Sequence, residues 1–128
     1  MTERIALTIN NNNRLCTFPD SSYVKIMQRT SEAWQTEKML PINLQVTSTE
    51  ELRTRIRNLI DNVPDCRILL SAAVRGIPYH VFDKMGFAIF EAPSVSETLL
   101  NDIIKEVATN KDELTDYRFV SQTPVEFI

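Results

Sequence analysis

Residue types that commonly carry chemistry are scarce in this chain: two cysteines, two glycines and one histidine in 128 residues. Cys16 and Cys66 are too few and too far apart for a disulfide framework or a CxxC metal site, which fits a reducing compartment. With only Gly76 and Gly86, no glycine-rich loop is present to cradle a phosphate. No apolar run approaches the roughly 20 residues needed to span a bilayer, so membrane insertion is not expected. The first ten residues place Glu3 beside Arg4 and lack the apolar core and cleavage site of a secretory signal. A cytoplasmic location is therefore expected. The formal net charge of -3 gives no global attraction to nucleic acid. Arg53, Arg55 and Arg57 form the one dense basic cluster, but residues two apart on a helix point in different directions. They read as a solvated flank rather than a phosphate track.

What is present is ordinary for one soluble globular domain: 43% hydrophobic and 24% charged residues. Ile5, Leu7 and Ile9 alternate with Ala6 and Thr8, the period of a strand. Four asparagines at 10–13 tolerate left-handed backbone and predict a turn, with a short extended return at 15–18 before Pro19. Strands are predicted at 23–29 and 33–40, joined by Thr30, Ser31 and Glu32, which completes a meander. Ser48 with Glu51 is a capping-box signature, and Leu52, Ile56, Leu59, Ile60 and Val63 form one helical stripe that Pro64 closes. Ser94 with Glu97 is the matching signature for a last helix bearing Leu99, Leu100, Ile103, Ile104 and Val107. Beyond Ala108 no sustained period remains. The chain thus divides into a domain at 1–109 and a C-terminal tail at 110–128.

Between these helices, residues 65–91 read DCRILLSAAVRGIPYHVFDKMGFAIFE. The apolar run 66–70 is a buried strand, since Pro64 blocks helix continuation before it. Ile77, Val81, Phe82 and Met85 share a helical face, Pro78 fits the first turn, and Gly86 ends the helix. Residues 87–90 form a second buried strand, making a βαβ unit of parallel strands. The whole order is βββαβαβα, an α/β chain with an antiparallel meander followed by two parallel strands. That is the order of a ribonuclease H-like mixed sheet.

The words DCRILL, GIPYHVFDKMGF and IFE resemble the central block of the Fe-only nitrogenase accessory protein family, known as AnfO-like; residues 4–8 and the Trp34 region also fit. More distantly, the run resembles the dinitrogenase iron-molybdenum cofactor biosynthesis domain. The resemblance implies a ribonuclease H-like architecture with the first strand central. It also implies a non-enzymatic accessory protein that binds or delivers an iron-sulfur cluster or nitrogenase cofactor precursor, or assists its target. The partner implied is nitrogenase or a cofactor-assembly protein. The cofactor-biosynthesis domains are associated with a histidine after the first strand; Thr17, Phe18 and Pro19 stand there, so that ligand is not carried over.

In an α/β sheet, ligands bind outside the carboxyl ends of parallel strands. That edge should collect residues 10–22, 71–75, the first turn of the Gly76 helix and 91–94. Candidate cofactor-binding residues are Cys16, Ser71, Arg75, Tyr79 and His80, with Cys16 and His80 as candidate metal ligands. A helix N-terminus beside Arg75 would favour an anionic ligand. Each candidate also has a plainer reading: Cys16 as a small packed hydrophobe, His80 as a surface residue flanking the core. Nuclease chemistry is excluded, because two-metal catalysis needs several carboxylates and residues 5–9 carry none, while the fourth strand ends on Ser71. No nucleophile elbow is present. Two further readings remain open: a cofactor-free interaction module using Trp34, Tyr79 or the tail, and a small enzyme in which His80 is the acid or base.

Overall fold

The computed structural model describes residues 3–31 and 33–109, in which five strands form one mixed sheet with three helices. The strands are β1 (Glu3–Ile9), β2 (Tyr23–Thr30), β3 (Ala33–Pro41), β4 (Ile68–Ser71) and β5 (Ala88–Glu91). Their order in the sheet is β3-β2-β1-β4-β5. The helices are α1 (Thr49–Asp61), α2 (Gly76–Lys84) and α3 (Glu97–Thr109). β1, β2 and β3 pair antiparallel, whereas β4 joins β1 and β5 joins β4 in parallel. The expected α/β class, the meander, the central β1 and the β4–α2–β5 unit are all found. The expected tail at 110–128 lies outside the described residues.

Strand alternation divides the core in two. Ile5, Leu7 and Ile9 of β1 share a cluster with Leu70, Phe90 and the Leu100, Ile103 and Ile104 stripe of α3. Ala6, Leu69 and Ile89 instead pack with Ile56, Leu59 and Ile60 of α1 and with Val81 and Phe82 of α2. Two helices therefore cover one face and α3 covers the other. β4 and β5 are buried on both faces, which is why their sequences are short apolar runs without polar alternation.

The local signals hold with shifts. Ser48 caps α1, its hydroxyl accepting from the Glu51 N–H at 3.1 Å. The Glu51 carboxylate reaches back one residue further than a capping box requires, accepting from the Thr47 N–H at 3.0 Å. At α3 the cap is Ser96 rather than Ser94: its hydroxyl accepts from the Leu99 N–H at 3.1 Å. Glu97 then lies at the first helical position, where its charge faces the positive end of the helix dipole instead of closing a box. β4 begins at Ile68, two residues later than expected, because the Cys66 N–H is drawn into a turn by the Val63 carbonyl at 3.1 Å. Asn13 takes left-handed backbone with φ 62°, and the Asn10 side chain accepts from the Asn12 and Arg14 N–H groups, closing the asparagine turn.

Two long-range contacts tie the edge strand β3 to the rest. A bulge between Ile26/Met27 pairings skips Glu37, which reaches across β2 to grip Arg4 of β1 with two contacts of 2.8 and 3.1 Å. Trp34 is 7% exposed and its indole N–H donates to Asn101 of α3 at 2.7 Å. Its aromatic surface is consumed inside the fold, which corrects the expectation that Trp34 offers a contact surface.

Candidate functional site

The carboxyl edge of the parallel strands does gather the predicted segments. The chain leaving β1 turns through the asparagines and returns beside its own strand end: the Cys16 N–H donates to the Thr8 carbonyl at 3.0 Å, and the Ala72 N–H donates to the Cys16 carbonyl at 3.1 Å. Thr17 forms an isolated parallel bridge with Ala73, and the Phe18 N–H donates to the Ala73 carbonyl at 2.8 Å. Residues 15–17 thereby wedge between the ends of β1 and β4. The opening that an α/β sheet ordinarily offers a ligand at this position is filled by the protein's own backbone.

Beneath the wedge lies a buried hydroxyl pair. Thr8 and Ser71, both 0% exposed, share a hydrogen bond of 2.7 Å, and the Thr8 hydroxyl also lies 2.8 Å from the Cys16 carbonyl. Ser71 is within 3.1 Å of the Ala73 carbonyl. Ser71 thus serves the wedge, orienting the returning loop. The Cys16 thiol is partly buried and points back toward the Thr8 carbonyl at 3.8 Å. Burial, and then the charge of Asp20, push its pKa above the ordinary thiol value, so the resting form at neutral pH is the thiol rather than the thiolate. Cys66 is fully buried and its thiol is likewise raised, chiefly by burial.

At the β5 end the decisive group is one the sequence reading passed over as a loop boundary, Glu91. Its side chain is 0% exposed, and its Oε2 accepts from the Val74 N–H at 3.2 Å and from the Arg75 guanidinium. Its Oε1 has no hydrogen-bond partner among the described residues. Arg75, half-exposed, lies over this carboxylate and donates to the Val74 carbonyl as well. The positive charge expected to attract an anion is therefore directed inward, onto a buried acid. The readable signal was an acid ending a fully apolar strand, IFE, sixteen residues after an arginine.

The remaining candidates diverge from this edge. Tyr79 packs against the α1/α2 core cluster and meets the His80 ring edge-on, with centroids 6.0 Å apart. His80 is exposed and lines a separate groove between α1 and α2 with Arg53, Arg57, Ile77, Val81, Lys84 and Met85. Arg55, the middle arginine, turns away to the Asn43 carbonyl at 2.8 Å and to Glu51 at 2.9 Å. Cys16, Ser71 and Arg75 thus come together, and His80 goes elsewhere. Among the described residues no three of His, Cys, Asp and Glu converge as a metal-ligand set. Nor is any described helix long and apolar enough to cross a membrane.

Comparison with protein families matches residues 4–126 to the family described as iron only nitrogenase protein AnfO. The chain belongs to that family. The match runs past the described residues, so the resemblance read from the central block extends over nearly the whole AnfO-family chain. The family is one of accessory proteins for Fe-only nitrogenase. No individually curated protein matches this AnfO-family chain.

Proposed function

We propose that this protein is a non-enzymatic, cytoplasmic accessory factor that works by binding its target, nitrogenase or a cofactor-assembly protein, and handles any iron-sulfur cofactor only as shared cargo. The observation that carries this reading is the filled strand edge. Residues 15–17 occupy the crevice, Arg75 and Glu91 close its flank, and Cys16 supplies a single thiol there. One thiol is too small a donor set for a resident cluster, which takes four ligands. It suits one exchangeable ligand to a cluster whose other ligands come from a partner. His80 lies in another groove and does not complete the set. The strand order and the βββαβαβα sequence also support reading the sheet as ribonuclease H-like.

Anaerobic transfer tests this. Protein isolated without oxygen is incubated with a cofactor-loaded assembly protein, and iron and sulfide are measured on each component. Wild-type chain should form a complex with the loaded protein, and Cys16→Ala should form the complex yet slow release of cargo. Stoichiometric iron and sulfide on the isolated chain, unchanged by Cys16→Ala, would mean a resident cluster held elsewhere and would end this reading.

A further inference from the structure

The groove between α1 and α2 gathers basic side chains from both helices. Four arginines outside it are matched with acids, Arg4 with Glu37, Arg29 with Glu3, Arg55 with Glu51 and Arg75 with Glu91, and Arg67 donates to the Val63 and Cys66 carbonyls. Here Arg53 has only Glu50, at 3.9 Å and itself 76% exposed, while Arg57 and Lys84 are in no ion pair among the described residues. In a chain of net charge -3, a groove of about 330 Å³ thus gathers Arg53, Arg57 and Lys84 with one long ion pair between them among the described residues.

The spacing is regular. Arg53 and Arg57 are one turn apart on α1, and His80 and Lys84 are one turn apart on α2, so each rim repeats at about 6 Å. Ile77, Val81 and Met85, again at four-residue steps, supply apolar surface on the α2 side between the rims. A basic rim on either side of an apolar floor is the complement of an amphipathic helix that carries an apolar stripe flanked by carboxylates one turn apart. Nucleic acid fits less well, since none of the groove's lining residues except His80 is aromatic and an apolar floor offers phosphates nothing. We infer that this groove docks an acidic amphipathic helix of a partner protein, with Arg57 and Lys84 as the principal charge contacts. The inference stands on the groove itself and does not depend on the partner being a nitrogenase protein.

The test uses the full chain and a synthetic helical peptide of about 18 residues, with Glu at i and i+4 on both flanks of a Leu/Met stripe. Fluorescence anisotropy should show saturable binding that weakens steeply between about 50 and about 300 mM salt. Arg57→Glu with Lys84→Glu should lower affinity by at least about tenfold, whereas Lys105→Glu on α3 should leave it unchanged. If the reversed-charge pair fails to fold by circular dichroism, Arg57→Gln with Lys84→Gln is read in its place, with a loss of at least about threefold expected. Absence of binding, equal binding of a Lys-for-Glu peptide, or equal loss with Lys105→Glu would overturn the inference. Displacement of the peptide by inorganic polyphosphate at lower concentration than by the peptide itself would overturn the assignment to an acidic protein segment.

Discussion

The Arg75–Glu91 pair makes an asymmetric prediction. Glu91 is the buried partner and Arg75 the half-exposed one, with side-chain exposures of 0% and 52%. Removing the exposed partner strands a charge in the interior, whereas neutralising the buried one leaves a half-exposed arginine that solvent already reaches and that still donates to the Val74 carbonyl. Stranding a buried charge costs about 3–5 kcal/mol when its surroundings stay closed. Removing Arg75 also uncovers Glu91 to solvent, which brings the cost to the bottom of that range or just below it, and Arg75→Met should destabilise by about 2–3 kcal/mol. Glu91→Gln keeps the volume and an oxygen for the Val74 N–H, and should cost only about 1 kcal/mol. The double variant should recover about 1–2 kcal/mol relative to the sum, because the stranded charge is gone. Urea unfolding at pH 7 for all four proteins, with a common m-value, measures the cycle. A larger cost for Glu91→Gln than for Arg75→Met, or a coupling below about 0.5 kcal/mol, would refute the view that this pair closes the strand edge.

Other outcomes follow from the same contacts. Asn101→Ala leaves the buried Trp34 indole N–H without its acceptor and should cost about 1–3 kcal/mol, with a red shift in the emission of the single tryptophan; an unchanged spectrum and stability would count against the docking of β3 to α3. Ellman's reagent should modify Cys16 slowly at neutral pH and faster only as pH passes above the ordinary thiol range, while Cys66 should react only after unfolding; two fast thiols in the native protein would contradict the burial. The Glu37 carboxyl is held below its ordinary range, first by the hydrogen bond from Arg4. Its folded pKa is depressed, so its contribution is complete above the ordinary carboxyl range and is lost as pH falls through the depressed value. Glu37→Gln should therefore lower stability at neutral pH and flatten the acid limb of the stability curve, and an acid limb of unchanged steepness would argue against it. Ser48→Ala removes the α1 cap and should cost about 1 kcal/mol, read by thermal unfolding.

Local chemistry wrote most of the architecture into the sequence. Helix periodicity placed α1, α2 and α3, strand alternation and proline placement gave the five strands, and the quoted words of the βαβ block pointed to the AnfO family. These features are legible because each depends on residues within a few positions of one another. The shifted cap at Ser96 and the late start of β4 at Ile68 show the limit even there, since two serines or two apolar residues satisfy the same local rule and backbone geometry chooses between them. The site was decided by contacts far apart in the chain. Thr8 meets Ser71, Arg75 meets Glu91, and Trp34 meets Asn101 only once the sheet order is set. That order directed the Arg75 charge inward, filled the crevice with residues 15–17 and sent His80 to the basic groove with Arg53, Arg57 and Lys84. Sequence determined which groups were available; only tertiary packing decided which of them neutralise each other and which face solvent, because charge and burial are properties of neighbours in space rather than along the chain.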